Sequence, residues 1–465
     1  MSISSLLNVS KDAMLSYRLA MDVTGGNISN VNTPGYTRQQ AVFAATGKVN
    51  AKAASAQLSV KVENIDRMFD GYTEMQIAEQ AQKAGAGEAK NDMLARVEIV
   101  LDETNGGKLN DVMSRFWSAW GDLAVNPAGG VERDALASVG QEMAAMFNSY
   151  GDQLYDLQMN ANDTIRNTVA DINVYAGEIA SLNKEIGRIS STSGEANQLL
   201  DKRNEALKEL CGLINCQYIE GANNSLNIFL TSGKPLVEGD ASYGLVLKKS
   251  PVSDFHDVVY QETGEVINPF LTPGKGKLGA LLDVRGRVIP EYMASLDEMA
   301  GTVMNKLNEL HRQGFDAKRN LGGDFFVVVP EGSKNYARDI ELNSAILADS
   351  GRIAAAATVA GDGEQATAIA ALKDELLMNG GQATVSTFYA SLIGQVARDV
   401  AEAGRNSEYQ ANLLTQLNNQ REGVSGVSID EEMMNLIKYQ LGYNAAGKLC
   451  QVVDEMMETL MNMAR

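Results

Sequence analysis

The chain has 465 residues, of which 45% are hydrophobic, and its formal net charge is −19 at pH 7. This hydrophobic content allows packed cores and excludes an intrinsically disordered chain, and the length leaves room for about three domains. The negative charge disfavours nucleic acid or an anionic membrane as a partner, and its simplest role is to keep the protein soluble.

The chain contains three cysteines, Cys211, Cys216 and Cys450. So few cysteines in so long a chain predict no disulfide framework. There is no Cys-x-x-Cys pair, which disfavours metal or redox chemistry. We therefore expect neither a metal nor a cofactor.

The first residues do not resemble an ordinary secretory signal. Lys11, Asp12, Arg18 and Asp22 interrupt the apolar residues, and no segment of the chain reaches membrane-spanning length. From these patterns alone, the expected location is the cytosol.

The first predicted element is an amphipathic helix. Apolar or small residues recur at alternating steps of four and three, which is the spacing of a seam along one helix face. This N-terminal seam consists of Ile3, Leu7, Ser10, Met14, Tyr17, Met21, Thr24, Ile28 and Val31. Gly25 and Gly26 interrupt the pattern and predict a kink.

A tight turn is predicted to end this helix. Its residues, called the signature turn below, are Asn30, Asn32, Thr33, Pro34, Gly35 and Tyr36. Pro34 and Gly35 suit the two central positions of a type II turn. Residues 36–59 are small and polar without a helical period, which predicts an ordered loop or extended arm followed by a short strand near residues 58–62.

The middle of the chain shows helical periodicity at about residues 66–103, 112–123, 133–190 and 199–210. The third of these, if continuous, spans about 85 Å and implies an elongated molecule. Strand-like runs at residues 226–230, 245–247 and 258–260 then predict a small β domain, with a hairpin turn at residues 262–265. Helical periodicity returns from Leu278, and another long helix is predicted to start at Ser386.

The C-terminal helix is predicted to begin at a capping box formed by residues 428–431. Its seam consists of Leu436, Tyr439, Tyr443, Ala446, Cys450, Val453, Met457, Leu460 and Ala464. A second stripe beside it consists of Met433, Ile437, Leu441, Leu449, Val452, Met456 and Met463. Such seams also close ordinary intramolecular bundles, but an apolar face this wide is more than one partner helix covers and favours self-association.

These patterns predict a mainly α protein with an inserted β domain. The terminal helices pair as a coiled coil in residues 1–62 and 426–465, and the extended arm occupies residues 33–62. A helical-bundle domain is expected from residues 63–213 and 276–425, and the small β domain from residues 214–275. The fold is thus expected to be elongated, with both termini at one end.

Few residues suggest catalysis or ligand binding. Residues 274–279 (GKGKLG) match the glycine-rich dinucleotide pattern, but the alternating strands and helices of a βαβ unit are missing, which favours a turn between domains. His311 follows an apolar helix face and is predicted to be a helix-end residue, and neither it nor His256 has a metal-ligand partner nearby in sequence. A dinucleotide-dependent enzyme is kept as the alternative from another functional class.

Three stretches carry a resemblance to a known family. The segment NISNVNTPGYTRQ (residues 27–39) resembles the signature shared by rod, hook and hook-associated proteins, the axial proteins of the bacterial flagellum. GFD (314–316) with GGDFF (322–326), and LLTQLNNQ (413–420) with GVSGVSIDEE (423–432), resemble the flagellar hook-associated protein 1 family. A hook or distal rod protein is the nearest alternative, and the long helix disfavours it because those relatives are mostly β between their termini.

The resemblance implies a structural subunit and no enzyme. It implies self-assembly through the terminal helices into a tubular stack at the hook–filament junction, next to the hook protein and the second junction protein. It also implies uncleaved export through the flagellar type III apparatus, an extracellular location, and a cytosolic export chaperone that covers the C-terminal helix. These are expectations for the sections below.

Overall fold

The computed structural model describes residues 3–46, 49–50, 55–56, 59–102, 109–189, 194–329, 335–358 and 361–463. The α-helices are α1 (Ile3–Ser29), α2 (Gly71–Leu101), α3 (Leu109–Val125), α4 (Gly130–Ile186), α5 (Gly194–Leu213), α6 (Lys277–Asp283), α7 (Ile289–His311), α8 (Tyr336–Asp339), α9 (Ser344–Ala348), α10 (Glu364–Ala371), α11 (Val385–Ser425) and α12 (Ile429–Met463). The strands are β1 (Gln39–Thr46), β2 (Val49–Asn50), β3 (Ser55–Ala56), β4 (Ser59–Arg67), β5 (Cys216–Glu220), β6 (Leu226–Leu230), β7 (Pro235–Glu238), β8 (Ala241–Ser242), β9 (Leu245–Lys249), β10 (His256–Tyr260) and β11 (Glu265–Val266).

The helical bundle is built around α4, which packs against α2, α3, α5, α6, α7 and α8. Its 57 residues span about 85 Å at 1.5 Å per residue. The GGDFF motif lies inside this core, because Phe325 and Phe326 are fully buried with Phe116 and Trp120 at ring-centroid distances of 5.0 to 6.4 Å. The motif is therefore a packing element.

Helices α2 and α11 form a closely packed pair within the bundle. Helices α2 and α11 run antiparallel: Gln80 Nε2 donates to Gln410 O at 3.0 Å, and Arg421 Nε lies 2.9 Å from Glu74 Oε1. The predicted helix start at Ser386 is two residues late, since Thr384 is the N-cap and forms a capping box with Thr387.

The β region is a layer of two antiparallel sheets laid on α4, with strand orders β5-β6-β7-β8 and β11-β10-β9. Three asparagines along α4 bind the strand backbones directly. Asn173 pairs with both the N–H and C=O of Leu245 at 2.8 Å, Asn183 does the same with Leu226 at 2.9 Å, and Asn162 accepts from the first N–H of β10. Helix side chains thus satisfy backbone groups at the strand ends.

The arm after α1 is a β-hairpin. Strand β1 pairs antiparallel with β4, from Gln39 opposite Arg67 to Thr46 opposite Ser59, with a bulge between Val42 and Phe43. The prediction of an ordered loop or extended arm did not include strand β1, because β1 is rich in Gln and Ala and its own composition does not favour a strand. The short strand predicted near residues 58–62 is part of β4. The described part of the arm also contains the short pair β2–β3.

The terminal helices α1 and α12 pack on each other as an antiparallel pair. Asn27 Nδ2 bonds Glu432 at one point, and Tyr17 lies against Gly442 at another, ten residues earlier in α1 and ten residues later in α12. At Gly25 and Gly26, where a weak point or kink was expected, α1 is continuous. Ser29 Oγ and Asn30 Nδ2 donate to the carbonyls of these two glycines at 2.9 Å.

The fold class is as predicted: mainly α and elongated, with paired terminal helices and an inserted β region. The domain boundaries stay a prediction. Residues 47–48, 51–54 and 57–58 of the predicted arm, residue 190 of the predicted long helix, and Ala464 of the C-terminal seam lie outside the described residues. In the described part of the chain, none of the helices is both long and apolar enough to span a bilayer.

Candidate assembly interface

A buried polar cluster joins the two terminal helices to the arm. Asn27, near the end of α1, is fully buried. Its Nδ2 donates to Gln39 O at 2.8 Å and to Glu432 Oε2 at 3.0 Å, while its Oδ1 accepts from Tyr36 Oη at 2.8 Å and from Gln39 N at 3.0 Å. One side chain therefore fixes the arm and α12 against α1, with its hydrogen-bonding capacity filled.

Arg38 completes this cluster from the arm. Its Nε donates to Glu432 Oε1 at 2.8 Å and its Nη1 to Glu431 Oε2 at 2.7 Å, at the start of α12. Its backbone N–H donates to Ser425 O, the last residue of α11, at 2.8 Å. Glu432 is only 2% exposed, and a carboxylate buried this deeply is stable only with such partners. Glu431, predicted to complete a capping box, directs its carboxylate to Arg38.

The burial of this cluster affects its tyrosines. Burial, reinforced by the negative charges of Asp201 and Glu432, raises the pKa of Tyr36 to about 12. Tyr36 is therefore a neutral phenol at physiological pH, and its hydroxyl donates a hydrogen bond to Asn27 Oδ1. Burial together with Glu432 also raises the pKa of Tyr439 on α12, and Arg38 opposes this shift.

The signature turn has the geometry expected from its sequence. Tyr36 N donates to Thr33 O at 3.2 Å, and Gly35 has a φ of +77°, which suits the second central position of a type II turn. Asn30 bonds back to the helix end and to Thr33 Oγ1 at 3.2 Å, whereas Asn32, Thr33 and Pro34 are exposed. The turn thus presents a rigid, partly exposed corner.

Helix α5 of the bundle contacts the arm through buried polar side chains. Asp201 is buried, accepts from Thr37 N at 3.0 Å, and pairs with Arg67 Nη1 at 2.7 Å. Burial raises the pKa of Asp201, and Arg67 opposes that rise. Asn197 Nδ2 donates to Ile65 O at 2.8 Å. The terminal helices are therefore tied to the bundle through the arm.

The N-terminal seam is only partly inside the chain. Ile3, Met14, Tyr17, Met21, Ile28 and Val31 are half-buried, and Leu7 is exposed. The fully buried residues of α1 are small or polar: Ser5, Ser10, Ser16, Ala20, Thr24 and Asn27. Sequence periodicity missed most of this face because α1 packs on the arm as well as on α12, and close approach to backbone favours small side chains.

Contacts with the arm illustrate this close approach. Ser16 Oγ donates to Val60 O at 3.0 Å. The rings of Tyr17, Phe43 and Tyr439 form a row with centroid distances of 5.7 and 5.8 Å that joins α1, the arm and α12. A Cβ at Gly442 would lie 2.6 Å from the Tyr17 ring, so this position of α12 has to be glycine for the ring to pack there.

The C-terminal seam divides along its length. Leu436, Tyr439, Tyr443 and Cys450 are half-buried, Ala446 and Val453 are buried, and Met457 and Leu460 are about half exposed at 49% and 51%. The antiparallel register places Ile3, the first described residue of α1, opposite the region of Met456.

The second stripe of α12 is exposed over its whole length. Its exposed fractions run from 36% at Leu449 to 79% at Met463, and they include 65% at Leu441. Leu15 and Leu19 on α1 are exposed as well, at 46% and 39%. The second stripe, called the α12 stripe below, is therefore a long apolar surface that the described residues of this chain do not cover. Exposed apolar surface of this kind is typical of an interaction site.

The segments that suggested ligand chemistry serve packing. Gly276 N donates to Gln82 O at 2.7 Å, and a Cβ there would lie 2.7 Å from the backbone of Ile214. The neighbouring strands pair antiparallel, whereas a dinucleotide site requires parallel βαβ geometry. His311 ends α7 as predicted, fully buried between Gly323 O and Ala354 N. Within the described ranges, there is no group of three or more His, Cys, Asp or Glu side chains placed to hold a metal ion.

Comparison with known families gives three matches along the chain. Residues 94–326 match the model of the flagellar hook-associated protein FlgK helical domain. Residues 7–37 match the flagella basal body rod protein model, and residues 422–463 match the flagellar basal body rod FlgEFG protein C-terminal model. The two rod matches coincide with α1 and α12, and the helical-domain match distinguishes the chain from a hook or rod protein.

Curated relatives match nearly the whole chain. The flagellar hook-associated protein 1 of Bacillus subtilis is 30% identical over 98% of this chain and 97% of its own length. That of Escherichia coli is 25% identical over 99% of this chain and its full length. Among solved structures, the flagellar hook junction protein FlgK from Burkholderia pseudomallei has a TM-score of 0.68 at 17% identity, covering 75% of this chain and all of its own, which shows a shared fold. The chain therefore belongs to the flagellar hook-associated protein 1 family and is a structural protein of the bacterial flagellum.

Proposed function

We propose that this chain is a subunit of the hook–filament junction and that it assembles with other copies through its terminal helices. The exposed α12 stripe carries this proposal. A fully buried Leu or Met stabilises a protein by about 1.5–3 kcal/mol relative to an exposed one, so a stripe of half-exposed apolar side chains is a large unused source of binding energy. Burial against neighbouring subunits would use it.

The proposal gives the two parts of the terminal pair different tasks. The polar cluster around Asn27 and the aromatic row around Phe43 hold the pair together within one chain. The half-buried N-terminal seam, the end of the C-terminal seam from Met457 to Leu460, and the α12 stripe contact other copies. The signature turn, with its exposed Pro34, forms a corner of that interface. Residues 1–62 and 426–465 thereby act as an assembly domain.

The proposed partners follow from the position in the flagellum. They are further copies of this chain in a ring or tubular stack, the hook protein on one side and the second hook–filament junction protein on the other. The proposed location is extracellular, after uncleaved export by the flagellar type III apparatus. Because the α12 stripe would aggregate in the cytosol, an export chaperone is proposed to cover it before secretion.

Charged substitutions on the stripe test the proposal. Leu441→Asp and Val452→Asp place a carboxylate on the exposed stripe, where the side chains are 65% and 49% exposed. The isolated monomer should keep its melting temperature, but cells carrying either variant should lose filaments, and chaperone pull-down should weaken. Gln451→Asp introduces the same charge at an exposed polar position of α12 and should leave assembly intact.

Removing α12 is the stronger version of this test. A chain that ends before Ile429 should keep its helical bundle folded and soluble, by circular dichroism melting, while losing junction assembly and chaperone binding together. Outright unfolding of the truncated protein would mean that α12 belongs to a self-contained bundle. Normal filaments from the two Asp variants would equally contradict the proposed interface.

A further inference from the structure

Two of the three cysteines lie in direct contact where the bundle meets the β layer. Cys211 is in the last turn of α5 and Cys216 is the first residue of β5. Their Sγ atoms are 3.5 Å apart, both residues are buried at 0% and 4% exposure, and both are free thiols. A disulfide has an S–S length of about 2.05 Å, so the two sulfurs would have to approach each other by about 1.5 Å to bond.

The backbone around the pair is held from two sides. Gln82 Nε2 on α2 donates to Cys216 O at 3.0 Å. The connecting residues pack so closely that a Cβ at Gly85 would lie 2.1 Å from Gly212 O, and a Cβ at Gly276 would lie 2.7 Å from the Ile214 backbone. The two cysteines therefore cannot move apart without disturbing α2 and the segment before α6.

Their surroundings also determine when they could react. A thiolate is the attacking species in thiol–disulfide exchange. The thiol contact with Cys211 and complete burial raise the pKa of Cys216 well above its ordinary value, and neither sulfur faces solvent. Oxidation should therefore be slow in the folded protein and fast while the chain is still folding.

We propose that Cys211 and Cys216 are a disulfide site, closed during folding whenever a small-molecule disulfide is present as oxidant. One cysteine thiolate attacks the oxidant, forming a mixed disulfide and releasing one small thiolate. The other cysteine thiolate then attacks the protein-bound sulfur, forming the Cys211–Cys216 bond and releasing the second small thiolate. The protein dithiol loses two electrons and two protons, and the oxidant becomes two thiols. The bond links α5 to β5 and reinforces the joint between the bundle and the β layer.

The test is refolding of the full chain from denaturant with oxidised glutathione or with dithiothreitol, followed by alkylation under denaturing conditions. The chain refolded with dithiothreitol should show three alkylated cysteines. After refolding with oxidised glutathione, neither Cys211 nor Cys216 should be alkylated, and Cys450 should carry the alkyl group or a glutathione. Both Cys211 and Cys216 follow Lys208 without an intervening Lys or Arg, so one tryptic peptide carries both. After oxidative refolding this peptide should carry no alkyl group and should be two hydrogens lighter than the unmodified dithiol peptide. Native, already folded protein treated with the same oxidant should react far more slowly at these two positions.

The control is Cys450→Ser, which should reduce the alkylated residues to none after oxidative refolding and leave the lighter peptide unchanged. The oxidised monomer should melt a few degrees higher than the reduced one, and dithiothreitol should reverse this gain. A peptide in which Cys211 and Cys216 are both alkylated after oxidative refolding overturns the proposal. So does an oxidised monomer that melts below the reduced protein, since the bond would then distort the native joint.

Discussion

The longest helix of the bundle and the last helix of the chain are both amphipathic, but the protein uses them in opposite ways. Twenty-four of the 57 residues of α4 are buried, whereas three of the 35 residues of α12 are, namely Glu432, Ala446 and Val453. Helix α4 is surrounded by other helices and by the β layer, while among the described residues α12 packs on α1 and contacts the arm through Tyr439 and Glu432. The apolar face of a helix therefore does not by itself show whether its residues are buried within the monomer. That depends on the elements packed against it.

Folding energy and assembly energy therefore come from different helices. Apolar residues on α4 stabilise the monomer because they leave water when the chain folds. Apolar residues on the α12 stripe are still in water in the monomer, so they can stabilise only a complex. The predictions below test this division, from the largest expected change in stability to the smallest.

Paired large-to-small substitutions test it most directly. Phe147→Ala removes a fully buried ring from α4 and should lower the free energy of unfolding by about 3–5 kcal/mol. Leu441→Ala removes a side chain that is 65% exposed on α12 and should change it by about 0.5 kcal/mol or less. Urea unfolding of both monomers measures the contrast. Comparable losses in the two variants would show that the stripe is already covered within one chain.

The asparagines on α4 add hydrogen bonds between this helix and the β layer. Asn183 bonds the N–H and C=O of Leu226, the C=O of Gly239 and the guanidinium of Arg203. Asn183→Ala leaves these buried groups without their partner and should cost about 2–4 kcal/mol. Asn160→Ala, at an exposed position of the same helix, is the control and should be close to neutral. Thermal melting that failed to separate the two variants would mean that the β layer docks through apolar contacts alone.

Sequence periodicity predicted the parts of the fold that repeat. The helix predicted at 133–190 is observed at Gly130–Ile186, and the strand predicted at 226–230 is β6 without correction. In both segments the apolar residues recur at a regular spacing, and this spacing is what identifies a helix or strand from the sequence. On the buried face of α1, Ser10 and Thr24 belong to the predicted seam, whereas Ser5, Ser16, Ala20 and Asn27 lie outside it. The contact between Asn27 and Glu432 joins residues 405 positions apart. Pairing of that kind depends on the assembled fold and leaves no local period.

The same limit applies to the cysteines and to the end of α12. Three cysteines predicted no disulfide framework, yet the turn between α5 and β5 brings two sulfurs into contact. The C-terminal seam is one continuous face in the sequence, yet Val453 is buried whereas Met457 and Leu460 are about half exposed. Spacing along one helix predicts which residues share a face. It does not predict how far the partner extends.

Lowering the pH should weaken the buried bundle through His311. Burial lowers the pKa of this residue to about 4, whereas an unfolded chain takes up the proton near the ordinary value of 6.5. Between these values the unfolded state binds more protons, so stability falls as the pH falls from about 6.5 to 4. The loss from this residue is at most about 3 kcal/mol.

Comparison with a variant isolates this contribution from that of other groups. His311→Gln keeps one donor and one acceptor for Gly323 O and Ala354 N but does not titrate. The free energy of unfolding, measured by urea at several pH values, should decline more steeply in the native protein than in the variant over this window. Parallel curves would show that protonation of His311 is not linked to unfolding.

The smallest change in monomer stability is expected at the signature turn, which lies between the bundle around α4 and helix α12. Gly35 has a φ of +77°, and a Cβ there would lie 3.2 Å from Glu205 Oε2, so Gly35→Val should cost about 1–3 kcal/mol locally. Because the arm and not α4 bears this strain, the bundle should keep its melting temperature while motility falls. Gly26→Ala is the matched control: it lies within α1 with no heavy atom within 4 Å of the added Cβ, and it should stabilise the helix by up to about 1 kcal/mol. If Gly35→Val instead lowers the melting temperature of the whole monomer, the turn is part of the folding unit, and the division between folding and assembly lies beyond the arm, within α12 itself.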